Sequence, residues 1–489
     1  MDADVVIVGA GPTGLLTAYE VALGGASVII IDKLPARTGQ SRALNLHPRT
    51  AEVLELRGIL DAAQKQARAK IGTTHFAHMP VDVALDGWSS RYPYQVGIPQ
   101  AEVENLLEKH LENNGVTIRW ATEVVDIVQD PDSISITTNQ GVLTSKYLVA
   151  ADGGRSTIRK LLDVDFPGLD ARWFGTVADV TLSGLGNSIN PQWDSKGTPV
   201  MRQDTSFANI FPIGVDGDMT FRIFYSVHGQ KIGDPRAPVP AEEVVQVIHD
   251  FYGTDVEIED VIWGSRFSDA SRLVDRYKIG RVFLAGDAAH IHLPLGGQGL
   301  NTGLQDAFNL GWKLASVLMG RASDTLLDTY HTERHPVGAA VMRNTRAQVA
   351  LGQKGSEHEA LRDLFADLMR IPQVNRYLGG AISGLSVGYH DDPDSASGTR
   401  LVDFKLDDEH WASSLFVTGH FVLLTHANDL RISTPYHTVV RVVGEEGELS
   451  SDAVLVRPDG YIAWTSADGD LDKALLRLGL HVPQAVTAS

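Results

Sequence analysis

The chain has 489 residues, 43% of them hydrophobic and 21% charged, a mixture that folds and, at about 150 residues per domain, makes two to four domains. Its net charge of −19 (42 Lys and Arg against 61 Asp and Glu) comes without any basic run, so neither nucleic acid nor an anionic membrane is an expected partner. It contains no cysteine, which excludes disulfides, thiolate metal sites, iron–sulfur clusters and a cysteine nucleophile.

Val5-Val6-Ile7-Val8 reads as a strand buried on both faces, followed by the turn Gly9-Ala10-Gly11-Pro12-Thr13-Gly14 and a helix from Leu15 to Leu23. Gly24-Gly25 stops that helix, and Val28–Ile31 forms a second strand ending at Asp32. The uncharged run from Val5 to Tyr19 is broken by glycines and too short to span a bilayer. Met1-Asp2-Ala3-Asp4 is acidic where a secretory signal is basic, so a cytosolic location is expected. Helices are predicted over Arg49–Leu60 and from Gln100 to Asn114-Gly115, with strands at Val116–Trp120, Glu123–Val128, Ser133–Thr138 and Tyr147–Ala150. From Phe166 to about Arg276 the pattern is strand-like, including Phe207–Pro212 and Met219–Ser226. A strand at Arg281–Ala285 precedes helices running from Asn301 to about Ala381. The polar stretch Asp391–Gly398 sets off the last hundred residues. There, strands at Phe421–Thr425 and Val439–Val443 precede a hairpin, Ala453–Arg457 with Tyr461–Trp464, and a helix near Leu471–Leu478.

Three constellations carry chemistry. Gly9-x-Gly11-x-x-Gly14 lies between strand and helix, with Asp32 ending the next strand 18 residues after the last glycine. That spacing lets a pyrophosphate approach the helix N-terminus and a ribose hydroxyl donate to Asp32, without separating FAD from NAD. The second is Gly286-Asp287-Ala288-Ala289-His290 with Leu293-Pro294-Leu295-Gly296-Gly297-Gln298-Gly299-Leu300-Asn301. A carboxylate at a strand end suits a polyol such as the flavin ribityl chain, and a glycine turn into a helix sets amides and a positive dipole end against a flat ring. The third, Asp152-Gly153-Gly154-Arg155-Ser156-Thr157, reads equally as a plain strand end and helix start. No metal is expected: His290 and His292 lack a third ligand, and His331-Thr332-Glu333-Arg334-His335 matches no zinc-protease pattern, with Pro336 marking a helix end.

In order and spacing these pieces resemble the class A flavin-dependent aromatic hydroxylases, in the branch of the aromatic-polyketide hydroxylases and rifamycin monooxygenases. Ser41-Arg42-Ala43-Leu44, Arg49-Thr50-x-Glu52, Arg57-Gly58-Ile59-Leu60, Asn309–Leu314 and Asn344–Gln348 resemble that branch as well. The resemblance implies an α/β chain with a GxGxxG-type, Rossmann-like FAD-binding domain over 1–72, 100–165 and 277–384. A β-sheet substrate domain (73–99 and 166–276) is inserted in it, and a thioredoxin-like domain without cysteines (385–489) follows as a contact unit and candidate homodimer surface.

By the same resemblance Gly9, Gly11 and Gly14 hold the pyrophosphate of non-covalent FAD and Asp32 the adenosine ribose, with Pro12, Thr13 and Lys33 also cofactor-binding. Arg42 and Gln100 line the FAD, Val124 lies near the adenine, and Asp152 is shared with transient NADPH. Asp287 binds the ribityl chain and the backbone at Gly299, Leu300 and Asn301 the pyrimidine edge, Gly297 is also cofactor-binding, and Pro294 and Arg42 are the candidates beside the ring. The implied chemistry is reduction of FAD by NADPH, capture of O₂ as a C4a-hydroperoxide, and OH transfer to an electron-rich carbon of a polycyclic aromatic polyketide of angucycline, anthracycline or tetracycline type. Trp88, Tyr92, Tyr94, Phe207, Phe211, Phe224 and Tyr225 are candidates to line its pocket, although each also reads as sheet core, and no catalytic base is assigned. Rival readings are rifamycin-type antibiotic inactivation, Baeyer–Villiger oxygen insertion on the same fold, phenol hydroxylation, and an FAD-fold binding module without turnover. The absence of a second glycine fingerprint argues against two-dinucleotide oxygenases, and the absence of Trp-x-Trp-x-Ile-Pro against halogenases.

Overall fold

Val5, Val6 and Ile7 of β1 (Ala3–Val8) are wholly shielded from solvent, because the strand is flanked on both sides in its sheet and covered on both faces. In the computed structural model β1 pairs in parallel with β2 (Val28–Ile31) and with the Gly141–Ala150 strand. Strands Val282–Leu284 and Ile118–Arg119 extend the parallel sheet at either side, and Val124–Gln129 with Ile134–Thr138 add an antiparallel meander. The described residues are 1–190, 201–203, 206–214, 217–230, 234–235, 237–353, 355–390, 395–426, 437–441, 449 and 451–480. The mixed α/β architecture is the one expected.

Helix α1 (Pro12–Leu23) begins with Pro12 at its first position, where a missing N–H is harmless. The helix expected over Arg49–Leu60 ends earlier, as α2 (Pro48–Glu55), because Gly58 turns the chain at φ 69°, and a further short helix, α3 (Leu60–Lys65), follows. Helix α4 (Gln100–Asn113) runs as expected, and α5 (Thr157–Leu161) is capped by Ser156, whose hydroxyl accepts from Arg159 N.

The inserted unit is a five-stranded antiparallel sheet among the described residues, ordered Met201–Gln203, Ser206–Pro212, Thr220–Ser226, Phe174–Leu185, Val256–Ser268. A helix missed by the strand-like reading, α6 (Ala241–Tyr252), covers one face. Its Val244, Val247, Ile248 and Phe251 recur at helical spacing and pack on Val180, Ile223 and Tyr225.

Helices α7 (Gln298–Leu318), α8 (Thr325–Leu351), α9 (Ser356–Met369) and α10 (Pro372–Ser383) follow. Pro336 does not end a helix as expected: α8 continues through it for 15 more residues, its buried stripe of Tyr330, Arg334, Gly338, Val341 and Thr345 outweighing one lost hydrogen bond. Helices α1 and α7 cross closely. A Cβ on Gly311 would stand 2.3 Å from Glu20 Cβ, and one on Gly24 2.3 Å from Ala315 Cβ. No helix of the described residues is long and apolar enough to cross a membrane.

The C-terminal unit pairs strands in the order His437–Arg441, Phe421–Thr425, Ala453–Val456, Ile462–Thr465, the first pair parallel, and ends in α11 (Leu471–Arg477). Of the expected features, 391–394, the end of the strand at 442–443 and the tail 481–489 lie outside the described residues. Its hairpin turn is driven into the first unit as a buried lattice of charge. Arg457 donates to Glu333 and Asp459, Lys313 to Glu333, Trp312 Nε1 to Asp459, and Arg49 to the Asp459 carbonyl. Arg57 clamps Glu20 through two bonds of 2.7 Å and also reaches the carbonyls of Phe416 and Pro458. Burial pushes the Lys313 ammonium down to about 8. Burial also pushes Glu333 up, but Arg457 and Lys313 outweigh it and hold the carboxyl well below its usual range. Such burial is tolerable only because every charge has a partner.

Candidate functional site

The carboxyl ends of the parallel strands converge on one cleft. At the end of β1, Gly9 adopts φ 109° and packs so tightly that a Cβ would lie 2.3 Å from the Ala151 carbonyl. A Cβ on Gly14 would lie 2.0 Å from the Gly9 carbonyl, whereas one on Gly11 would meet nothing within 4 Å. Two glycines therefore make the turn, and the third opens space over the N-terminus of α1, which has no side-chain cap. Pro12 is buried and Thr13 is lodged between Gly286 and Gly303, both of which must be glycine to admit its Oγ1. At the end of β2 the Asp32 carboxylate accepts from Ala10 N (2.8 Å) and Leu34 N (2.9 Å), with Lys33 exposed beside it, while Val124 is buried at the start of the Val124–Gln129 strand.

Asp152 follows the Gly141–Ala150 strand. Its Oδ2 accepts from Thr157 N (2.6 Å) and Ile158 N (3.2 Å), while its buried Oδ1 has no partner. Burial pushes this carboxyl up despite those donors. An orphaned buried oxygen next to the Gly9 turn is what a bound hydroxyl or amide would satisfy.

Across the cleft, Gly286 turns at φ 58° and leaves Asp287 exposed. The turn is held from behind by Asp306 of α7, whose carboxylate accepts from Gly286 N (3.2 Å), His290 Nε2 (2.7 Å) and Arg334 Nε (2.7 Å). Burial pushes Asp306 up, but Arg334 and His290 outweigh it and hold it below the ordinary range. Arg334 in turn donates to Tyr389 OH (2.9 Å). Sequence reasoning missed Asp306 and Arg334; their only signal was charge inside an apolar helical stripe.

After Pro294, Gly296 and Gly297 both take positive φ, and Gly297 starts α7 without a side-chain cap. A Cβ on Gly297 would lie 2.7 Å from Asn45 Oδ1. Asn301 ties the turn to the neighbouring segment, accepting from His47 N (2.7 Å) and donating to the carbonyls of Gly297 (2.9 Å) and Asn45 (3.2 Å). Helix α7 thus starts at this turn with no side chain capping its first amides, and Gly299 lies next to His292, whose buried Nε2 has no partner. Two uncapped helix N-termini, an open Gly11 face, the exposed Asp287 and the orphaned Asp152 oxygen together fit an extended dinucleotide with a ribityl chain and a flat ring.

Residues 41–45 bridge this cleft to the sheet. Ala43 N donates to Gln100 Oε1 (3.3 Å) on the cleft side. On the other side Arg42 reaches Ser265 Oγ (3.4 Å), and its carbonyl accepts from Arg222 Nη1 (3.3 Å). The sheet face carrying Arg222 and Ser265 is the one α6 leaves uncovered. It holds a half-buried aromatic wall: Trp173 stands edge-on to Phe207 and Phe267, and Phe224 lies against Phe211 and Phe267.

Of the seven aromatic candidates, Phe207, Phe211 and Phe224 stand on this wall and four do not. Tyr225, next to Phe224 in the strand, points to the opposite face, is fully buried under α6 and donates to Glu243 (2.6 Å). Trp88 packs on α10 and donates to the Arg376 carbonyl (2.9 Å). Tyr92 and Tyr94 stand edge-on to each other near Arg91 and Lys70 respectively, away from the wall. Trp173, Trp263 and Phe267 were missed, although Trp263-x-Ser265-x-Phe267 alternates visibly in the sequence.

The family model for the FAD binding domain matches residues 2–345, and that for the aromatic-ring hydroxylase C-terminal region matches 394–481. The 12-dehydrotetracycline 5-monooxygenase/anhydrotetracycline 6-monooxygenase of Streptomyces rimosus subsp. rimosus is 39% identical over 96% of both chains. Rifampicin monooxygenase of Rhodococcus hoagii is also 39% identical, over 97% of both. Among solved structures, CabE, an aromatic hydroxylase from angucycline biosynthesis, superposes with a TM-score of 0.87 at 36% identity, covering 98% of this chain and 99% of that one.

Proposed function

The chain belongs to the FAD-dependent aromatic-ring hydroxylases and is a single-component flavoprotein monooxygenase, and from that premise we propose that it hydroxylates a flat polycyclic aromatic polyketide. The observation that carries the substrate reading is the half-buried wall of Trp173, Phe207, Phe211, Phe224 and Phe267, joined to the cofactor cleft by residues 41–45. A wall of aromatic faces and edges binds fused rings by area and stacking rather than by hydrogen-bond readout.

Overall, an aromatic C–H, O₂, NADPH and a proton become the phenol, NADP⁺ and water. Bound FAD supplies the two-electron reduction and the activation of O₂. The protein's own part is binding and shielding. Gly9, Gly11 and Gly14 would hold the pyrophosphate, with Pro12 and Thr13 shaping the turn, Asp32 the adenosine ribose and Asp287 the ribityl chain. Val124, Gln100 and Arg42 would line the cofactor, and the first amides of α7 would stabilise negative charge on the reduced ring. Asp152 would satisfy its free oxygen on the cofactor or on arriving NADPH. The aromatic wall, with buried Leu293 ahead of Pro294, would keep water from the reacting centre. No side chain near the ring is needed as a base when the substrate phenol arrives ionised.

A second reading, oxygenation of a rifamycin in antibiotic inactivation, is favoured by the 39% identity to rifampicin monooxygenase. The test is NADPH oxidation by the FAD-loaded protein with anhydrotetracycline, angucycline-type polyphenols and a rifamycin, following product mass. Stimulation by a polyphenol with gain of one oxygen atom and intact rings supports the proposal. Stimulation by the rifamycin alone moves the assignment to inactivation, a ring-opened or lactone product means oxygen insertion, and no oxidation with flavin bound refutes both.

A further inference from the structure

A cavity of about 140 Å³ lies between α8, which contributes Arg346 and Val349, and the rim of the sheet domain, which contributes Asp269 and Ser271, with Leu293 also in its lining. Leu293 is the residue before Pro294, so the cavity borders the turn that leads into α7. Asp269 joins it to the aromatic wall, because its Oδ1 accepts from Trp173 N (3.2 Å), and Trp173 stands edge-on to Phe207 and Phe267. A flat ligand on the wall thus has the cavity at one edge.

The charges here do not cancel. The Asp269 carboxylate is committed, Oδ1 also accepting from Arg172 N (2.8 Å) and Oδ2 from Arg172 Nε (2.9 Å). Arg346 has only neutral partners: Nε donates to Ser271 Oγ (3.2 Å) and Nη2 faces the Ser271 carbonyl at 3.5 Å. Among the described residues no carboxylate lies within ion-pair distance of Arg346. Arg346 is exposed, but in a chain of net charge −19, where the other cavity-lining arginine is paired with a carboxylate, a cation without one at the mouth of a cavity of mixed polar and apolar lining points to an anionic ligand.

Its position is fixed. On the same helix, Gln348 accepts from Ala77 N (2.9 Å) and donates to Asn344 Oδ1 (2.7 Å), which also faces Gln298 Nε2 at 3.4 Å. Helix α8 is therefore pinned to the start of α7, and Arg346, on that turn, is held relative to the cofactor cleft.

We propose that this cavity is the polar subsite for the substrate, in which Arg346 holds the ionised oxygen of an acidic phenol or enol. The inference rests on the hydroxylase reading and deepens it by naming the substrate class: fused aromatics bearing a phenol or 1,3-dicarbonyl enol ionised at neutral pH, the proton having left to solvent before binding. An ionised oxygen feeds electron density into its ring, so a site that selects this form selects the molecule most reactive toward electrophilic oxygen. Arg346 sets specificity; it transfers nothing itself.

The test uses the FAD-loaded enzyme with anhydrotetracycline and an O-methyl ether of its acidic enol. Wild type should prefer the free enol, and Arg346→Gln should raise KM about tenfold for the enol while leaving KM for the ether within twofold. Arg346→Lys should restore most of the enol KM, which loss of packing alone would not allow. Unchanged melting temperature and flavin spectrum show that the variants are folded and loaded. If anhydrotetracycline is hydroxylated and Arg346→Gln changes both KM values equally or neither, the subsite is refuted and the hydroxylase reading stands. If no polyphenol stimulates NADPH oxidation in wild type, the hydroxylase reading falls and the subsite with it.

Discussion

Replacing Asp306 by asparagine should weaken cofactor binding and the fold by separable amounts. The carboxylate is wholly buried, and it neutralises the equally buried Arg334 while receiving Gly286 N and His290. An asparagine keeps one acceptor but turns an NH₂ toward one of these donors. With that oxygen kept on Arg334, the guanidinium retains neutral partners, including Tyr389 OH at 2.9 Å and the Thr302 carbonyl at 3.3 Å, but has no countercharge, and the NH₂ faces Gly286 N and His290. Removing one member of a buried pair costs about 3–5 kcal/mol, and the retained hydrogen bond puts Asp306→Asn near the lower end. The lost hold on Gly286 and His290 loosens the turn bearing Asp287. At about 1.4 kcal/mol per factor of ten, losing a charge-assisted bond of roughly 1.5–3 kcal/mol raises the FAD dissociation constant some tenfold to a hundredfold. The double variant Asp306→Leu/Arg334→Met removes both charges and should regain most of the stability, since an apolar pair of similar volume replaces a buried ion pair at little cost. It should not regain FAD affinity, because Gly286 N and His290 still lack their acceptor. Urea midpoints of the apoprotein followed by tryptophan fluorescence, and FAD titration by flavin fluorescence, read the two quantities apart. FAD affinity that recovers together with stability in the double variant would reduce Asp306 to a brace between α7 and α8 and refute the reasoning.

Gly11→Ala should leave the apoprotein as stable as wild type, since its Cβ meets nothing, yet weaken FAD at least tenfold by filling the open cradle. Gly14→Ala, with its Cβ 2.0 Å from the Gly9 carbonyl, should instead destabilise the fold itself by about 1–3 kcal/mol in urea titration. Phe224→Ala on the wall should raise substrate KM about tenfold, whereas Tyr225→Phe on the reverse face should cost roughly 1 kcal/mol of stability and leave KM unchanged. Burial holds the His47 and His75 imidazoles at about 4, down from 6.5. The unfolded chain takes up protons below 6.5 that the folded chain refuses until about 4, so stability should fall as pH drops through that window, by up to about 3 kcal/mol per histidine. A double His47→Gln/His75→Gln variant should show a visibly shallower slope in denaturation across pH 4–7.

The cofactor cleft was legible because its parts are local. The glycine spacing, Asp32 at a strand end and the Gly286–Asn301 run each sit in one short stretch, and each stretch also fixes its own turn. What escaped was whatever depends on a partner far along the chain. Phe224 and Tyr225 are neighbours with opposite fates, because period two separates their faces and only α6, unseen in the sequence pattern, decides which face is covered. Trp88 looked like a ring for the pocket until α10 folded over it. Pro336 read as a stop, whereas tertiary packing carried α8 through it. Arg57, legible as part of a matching block, owes its place to Glu20 across 37 residues and to two carbonyls of the C-terminal unit.

The charge lattice around the hairpin turn has a consequence for anyone recombining this enzyme with its relatives. Arg457 and Asp459 come from one side of residue 395 and Glu333, Lys313, Trp312 and Arg49 from the other. A chimera joined at that point inherits half a set of countercharges from each parent, and a mismatch strands an ion in the interior rather than on the surface. Crossover points that keep 300–350 together with 453–465 conserve the neutrality of the seam, and libraries built that way should yield folded chains where a cut at the linker does not.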